Sequence, residues 1–508
     1  MIRPTVNHII KTYLSFRFRR LEQALEQAEE TQCRLLQRLI RTAHETEWGL
    51  RYNFGTIRTP EDFARQVPLQ DYDTLKPLIE RMMMGEENVL WPGVVRWFSK
   101  SSGTTSDKSK FIPVSDENLE KCHIKGSWDT MAFLYQDLPD ARVFELKSLI
   151  MGGSLQPFSP HPETRRGDIS AIMIHNMPAV GRPFFTPDFE TALLENFEEK
   201  MNRMTEIVSQ EKDLVLMGGV PTWTVVFIRK VLERTGKNNI LEVWPHLQAY
   251  VHGGVSFTPY RTQFQEFIPS DSFLYKEVYN ASEGYFASQL GRDTDDMVLL
   301  LDNGIYYEFI PADQWDVPEP TAIPLSEVKE GKNYAMVIST NSGLWRYQIG
   351  DTIRFTSTSP YRIQITGRTR QFVNAFGEEV MVANTDKALE IACARTGSKV
   401  AEYTVAPIYF SDAGKGGHEW IIEFEKEPAD SNEFADILDA SLQEINSDYE
   451  AKRFQSMAMN RLVLHKASPG TFLRWMKARG KLGGQHKVPR LANERRFVEE
   501  LLTIMGNS

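Results

Sequence analysis

Residues 98–113 concentrate side chains suited to anion chemistry. Ser101, Ser102, Thr104 and Thr105 crowd around Gly103, and Lys108 and Lys110 follow. Backbone N–H groups and hydroxyls in such a run donate to phosphate oxygens, while an ammonium offsets their charge. A polar surface loop has the same composition, so the run takes its meaning from its partners. Two further clusters supply them. In Tyr279-Asn280-Ala281-Ser282-Glu283-Gly284 a hydroxyl and a carboxylate follow an apolar run. That arrangement suits Mg²⁺, phosphate and a base stacked on the ring. In residues 345–351, Asp351 follows Gly350 and can accept both hydroxyls of a ribose. For Glu283 or Asp351 taken singly, a solvated surface carboxylate is the competing reading.

Other templates are missing. There is no G-x-x-x-x-G-K-[ST] phosphate loop, no G-x-G-x-x-G after a strand and no G-x-S-x-G elbow. His44-Glu45 lacks the second histidine of a zinc-protease helix, and the ten histidines form no cluster.

The order of the clusters is more specific than any one of them. A phosphate loop, then Y-x-x-S-E, then R-Y-x-x-G-D, then Gly367-Arg368, then a late lysine resembles the adenylate-forming superfamily of acyl-CoA synthetases and firefly luciferase. The wording is closest to its acyl-acid amido synthetases, which include the auxin- and jasmonate-conjugating enzymes of plants and bacterial relatives. The matching pieces are Ser101-Ser102-Gly103-Thr104-Thr105 with Lys110, His252-Gly253-Gly254, residues 279–284, residues 306–311, residues 347–351 and residues 484–490.

The resemblance implies ATP-dependent formation of an acyl-adenylate from a small carboxylic acid. Attack by an amine, usually that of an amino acid, then gives an amide. It implies phosphate contacts from Ser101, Ser102, Thr104, Thr105 and Lys110. It further implies close approach of adenine at Gly254, stacking on Tyr279 beside Asn280 and Ala281, and ribose on Asp351 near Arg368. Ser282 would contact phosphate or the substrate carboxylate, Glu283 would hold Mg²⁺, and Lys487 would bridge carboxylate and phosphate. Two alternatives stay open: an acid–thiol ligase making acyl-CoA, and a nucleotide-binding regulator without turnover. Ser106-Asp107-Lys108-Ser109 departs from the glycine-rich superfamily loop, and Thr369-Arg370-Gln371 stands where acidic residues often mark the hinge.

Elements must hold these residues in place. Helical periodicity covers residues 15–46 and 72–81, and Met82-Met83-Met84 reads as irregular core filling. Apolar runs at 214–219, 247–254 and 274–280 end in glycine or polar turns, as buried strands of a mostly parallel sheet do. Ligands in such sheets sit beyond the carboxyl ends of the strands. Residues 297–310 read as an antiparallel hairpin turning at Asp302-Asn303-Gly304, with strands at 334–340, 345–355 and 361–366. Strands at 402–409 and 419–424 and helices at 432–445 and 492–505 follow. The expected fold is α/β: a large N-terminal adenylation domain (1–367) with mixed and parallel sheets and a β-barrel-like part, and a smaller α+β C-terminal lid (368–508) that moves. Trp128, Phe133, Met217, Trp223 and Phe257 are candidate acyl-pocket walls, and Arg142 or Arg229 a candidate carboxylate partner.

Composition narrows the setting. The chain has 508 residues, with 41% hydrophobic and 25% charged, ordinary for a globular protein. Its net charge of −10 argues against nucleic acid as the main partner. Three distant cysteines, Cys33, Cys122 and Cys393, match no metal or disulfide framework, and no long apolar run spans a membrane. A reducing, cytoplasmic setting without a membrane or nucleic-acid partner is expected.

Overall fold

The computed structural model describes residues 2–102, 109–179, 181–315, 317–369, 372–410, 415–456, 458–479 and 488–506. Thr104, Thr105, Lys108 and Lys487 lie outside the described residues, as does Arg370-Gln371.

The N-terminal periodicity resolves into two helices, Ile2–Glu26 and Ala28–Ala43, broken at Gln27. The second buries Leu35, Leu36, Leu39, Ile40 and Ala43 on one stripe. Helix Tyr72–Met83 starts with a capping box in which the Asp71 carboxylate accepts from Thr74 N and the Thr74 hydroxyl accepts from Asp71 N. Met82 and Met83 fill the core, but Met84, just past the helix, is 54% exposed. The helix has a second task. Tyr72 Oη accepts from Phe111 N at 2.9 Å, which pins the hairpin of Trp97–Ser102 (β1) and Ser109–Val114 (β2). In that hairpin Ser101 stands opposite Lys110 and Ser102 opposite Ser109. The hairpin belongs to a four-stranded sheet with Leu155–Phe158 (β4) and His161–Gly167 (β5), in the order β2-β1-β5-β4.

A twelve-stranded sheet forms the backbone of the N-terminal part. Its parallel half comprises Lys147–Leu149 (β3), Phe185–Thr186 (β6), Leu214–Gly219 (β7), Ala249–His252 (β8) and Leu274–Ala281 (β9). The three apolar runs read from the sequence are β7, β8 and β9. The antiparallel half comprises Gly284–Gln289 (β10), Met297–Leu299 (β11), Ile305–Pro311 (β12), Ile323–Pro324 (β13), Asn333–Thr340 (β14), Tyr347–Thr358 (β15) and Tyr361–Arg368 (β16). The whole runs β13-β12-β14-β15-β16-β11-β10-β9-β8-β7-β3-β6. The expected barrel-like part is this antiparallel half. Among the described residues β13 pairs with β12 alone, so the ladder is open at that edge.

One expected pairing is corrected. β11 and β12 do not form a hairpin: β11 pairs with β10 and β16, and β12 with β14 and β13. The turn between them redirects the chain out of the ladder. Buried Asn303 donates to Tyr285 O, and Gly304, at φ +83°, offers its carbonyl to Asn341 N at 3.0 Å.

After Arg368 the texture changes. Phe372–Val373 (β17) and Val380–Met381 (β18) form a short hairpin; helix Val382–Thr396 follows. Lys399–Ile408 (β19), Gly417–Lys426 (β20) and Val463–Ala467 (β21) form a three-stranded sheet backed by helix Ser431–Ile445. The last helix is Arg496–Gly506, shorter than expected, because Ala492 N still donates to Val405 O at 3.1 Å in extended chain. One apolar cluster runs from Met217, Tyr250 and Phe264 of the parallel half to Phe376, Trp420 and Tyr449 of the C-terminal part.

A buried ion pair locks the antiparallel half. Arg346 donates to both carboxylate oxygens of Glu308 at 2.8 and 2.9 Å, and to the carbonyls of Ala64 and Val67 at 2.8 and 2.7 Å. Removing one member leaves the other charge buried and unpaired. Arg346→Met is expected to lower unfolding stability by about 3–5 kcal/mol, read from urea midpoints by circular dichroism. Adding Glu308→Leu is expected to recover most of that loss.

Candidate active site

A cleft of about 1960 Å³ opens where the parallel and antiparallel halves meet, beyond the carboxyl ends of β7, β8 and β9. It is lined by Ser101, Gly254, Tyr279, Asn280, Ala281, Ser282, Glu283, Asp351 and Arg368, and by Gly377, Glu379, Asp448 and Lys452 of the C-terminal part. The topology therefore gathers most of the residues that the sequence singled out.

Asp351 is the node of the cleft. Tyr279 Oη donates to its Oδ2 and Arg368 Nε to its Oδ1 at 2.8 Å. Arg368 also pairs with Glu379 just past the β17–β18 turn, and its guanidinium lies 5.8 Å from the centre of the Phe372 ring. Gly350, at φ +91°, gives the backbone the turn that presents Asp351, and its carbonyl accepts from Thr369 N at 2.9 Å. Tyr279 is 5% exposed, with its ring 4.7 Å from Phe286, and burial beside Asp351 raises its phenol well above the usual range.

Ser282 ties the end of β9 to the β1–β2 hairpin. Its hydroxyl accepts from Ser99 Oγ at 2.9 Å and donates to Lys100 O at 3.0 Å. Glu283 is 6% exposed, and burial pushes its carboxyl up to about 7, opposed by the charge of Lys110. The Lys110 ammonium stands 5.8 Å from the centre of the Tyr72 ring. Asn280 Oδ1 meets His123 Nδ1 at 3.3 Å; burial holds that imidazole down at about 4. Gly254, at φ +84°, adopts a conformation that disfavours side chains, and its carbonyl accepts from Asn374 Nδ2 at 3.3 Å.

For a magnesium ion the described residues offer the carboxylate of Glu283 next to Ser282, and no group of three or more ligating side chains. That donor set fits an ion carried chiefly by phosphate oxygens and water.

Several expected wall residues lie elsewhere. Phe133 and Met217 are fully buried core, and Trp128 stacks on Phe144. Of the five aromatic and apolar candidates only Phe257 lines the cleft. Arg142 pairs with Glu145, and Arg229 lies over Phe410. Sequence reasoning missed Glu379, Asn374 and Lys452, which belong to the C-terminal part and meet the cleft only through the fold.

His252 sets a pH dependence. Its ring stacks on Phe257 at 4.1 Å, its Nδ1 has no partner among the described residues, and burial, then the charge of Arg261, depresses it to about 3. A base depressed on folding binds its proton more readily in the unfolded chain, so stability is lost as pH falls from 6.5 toward 3. His252→Phe is expected to gain on the wild type by on the order of 3 kcal/mol at pH 4.5 and by little at pH 8. Urea titrations of both proteins at the two pH values check this.

Known proteins similar in sequence and in fold identify the family. The model of the GH3 family N-terminal domain matches residues 17–204 and 159–273, that of the central domain 298–368, and that of the C-terminal domain 383–496. The chain is 21% identical to indole-3-acetic acid-amido synthetase GH3.3 of Arabidopsis thaliana, over 95% of this chain and 92% of that protein. It is 23% identical to jasmonoyl--L-amino acid synthetase JAR4 of Nicotiana attenuata, over 91% and 90%. Its fold is similar to that of GH3.15 acyl acid amido synthetase, with a TM-score of 0.62 at 16% identity, covering 97% of this chain and 96% of that one. It is similar also to 2-hydroxyisobutyryl-CoA ligase, with a TM-score of 0.60 at 12% identity over 96% and 93%. With family models matched along most of its length, the chain belongs to the GH3 family.

Proposed function

We propose that this protein is an ATP-dependent ligase that joins a small carboxylic acid to the amine of an amino acid. The observation that carries the reading is the cleft in which Ser282, Glu283 and the Tyr279–Asp351–Arg368 node face the phosphate hairpin. In the first step a carboxylate oxygen attacks the α-phosphorus of ATP and pyrophosphate leaves. In the second an amine nitrogen attacks the acyl carbonyl, AMP leaves, and the amine's surplus proton passes to solvent.

An anionic nucleophile must approach a polyanion, so cations and fixed donors supply most of the rate. Ser101, Ser102, Thr104 and Thr105 hold phosphate oxygens, and Lys110 offsets their charge. Gly254 leaves room for the base, which lies against Tyr279 beside Asn280 and Ala281. Asp351 accepts the ribose hydroxyls and is oriented by Arg368. Ser282 has its hydrogen on Lys100 O and accepts from Ser99 Oγ, so a ligand donor would use the second lone pair of its oxygen or displace one of these contacts. Glu283 would hold Mg²⁺, which when bound neutralises charge on the departing pyrophosphate. Lys487 brings a further cation to the carboxylate and α-phosphate. The unit 1–367 carries adenylation, and the unit 368–508 turns against it between the two steps. The setting is the cytoplasm, and nucleic acid is not a partner.

A screen of carboxylic acids for ATP–pyrophosphate exchange, followed by amino acids or CoA with mass identification of the product, tests the reading. An amide is the expected product. Acyl-CoA as the sole product, or ATP binding without exchange for any acid, overturns it. Asp351→Asn is expected to raise the KM for ATP roughly 10- to 100-fold through a lost charge-assisted contact. Lys487→Ala is expected to slow exchange on the order of 100-fold; an unchanged rate removes Lys487 from the site.

A further inference from the structure

Lys452 is a cation in the cleft that the adenylation chemistry leaves unused. It lies on helix Ser447–Arg453, whose first residue shares a 3.0 Å hydrogen bond with Ser109 of the phosphate hairpin. Three elements hold its ammonium. The Nζ stands 4.5 Å from the centre of the Trp223 ring on helix Pro221–Thr235. Its Cε is 3.2 Å from where a Cβ would sit on Gly377 in the β17–β18 turn, so a side chain there would displace it. Its own helix supplies the third side, and the remaining side opens to the cleft.

Among the described residues the Lys452 ammonium forms no hydrogen bond and no ion pair, although Asp448, Glu378 and Asp168 are near enough to favour its charge. Burial is the larger effect and lowers its pKa, and Lys100 acts in the same direction. An ammonium desolvated against an aromatic face gains much from a carboxylate that completes its shell. Two of the nearby carboxylates, Asp168 and Asp448, line the same cleft. A rim that sets Lys452 and Lys100 against Asp168 and Asp448 suits a zwitterion. It does not suit the phosphate-rich end of CoA, which would meet both aspartates.

We propose that Lys452 binds the α-carboxylate of the acceptor amino acid, with Asp168 and Asp448 facing its ammonium. This rests on the amide-ligase reading and deepens it: the acceptor enters between helix Pro221–Thr235 and the C-terminal unit, on the side of the β17–β18 turn. Lys452 is then a binding residue of the second step, and it selects amino acids over amines that lack a carboxylate.

The test uses the full-length enzyme with an acid identified by exchange, and compares each accepted L-amino acid with its carboxamide. Lys452→Gln is expected to raise the KM for the amino acid about 10- to 100-fold, to lower the ratio of conjugation to exchange, and to leave the KM for the carboxamide within about twofold. Lys452→Arg is expected to restore most of the lost affinity. An unchanged KM for the amino acid, or an equal rise for amino acid and carboxamide, overturns the assignment while the ligase reading stands. Exchange without any amide from the wild type overturns the ligase reading instead.

Discussion

The carboxylate of Asp351 holds the cleft together. It joins β9 through Tyr279 and β16 through Arg368, and Arg368 passes the connection to Glu379 in the C-terminal part. A carboxylate in that position would be costly to bury alone. Paired, it sets the distance between the parallel and antiparallel halves at the point where the sheet changes direction. Ser282 does the same on the other flank by fastening the end of β9 to β1.

These ties leave an electrostatic imbalance around Glu283. Glu283 is buried deeply enough that its proton is held to about 7, with Lys110 the main opposing charge. Bringing cations to that carboxylate favours its ionised form. Among the described residues the charge at this end is thus only partly balanced. The same holds at the opposite rim, where Lys452 rests on Trp223 without an anion of its own among the described residues. Incomplete satisfaction of buried charge is a cost to stability that a binding site tolerates. The buried pair Arg346–Glu308, by contrast, is complete, and it anchors β15 just ahead of Asp351.

Contact between the two parts of the chain is partly apolar and partly ionic. The cluster from Met217 to Trp420 is continuous, and Tyr260 Oη donates to Ala375 O at 2.5 Å. Movement of one part past the other would have to exchange this packing for another of similar area, since bare apolar surface costs about 25 cal/mol per Å².

Much was legible in local patterns. The runs at 214–219, 247–254 and 274–280 read as strands because their apolar residues are contiguous and end in glycine or polar turns, and they are β7, β8 and β9. The clusters around Ser282 and Asp351 were legible as motifs, and the fold brings both to one cleft. The β11–β12 hairpin was misread, since strand alternation and a Asp-Asn-Gly turn look the same whether the strands pair with each other or with distant partners. Trp223 was read as an acyl-pocket wall, and it instead supports Lys452. Residue types, turn chemistry and periodicity are local, so the sequence by itself determined the elements and the chemistry available to them. Which strands are neighbours, which charges share a low-dielectric cleft and which lysine faces it are set by contacts between residues far apart in the chain. Those contacts leave no local pattern, and only the tertiary structure decided them.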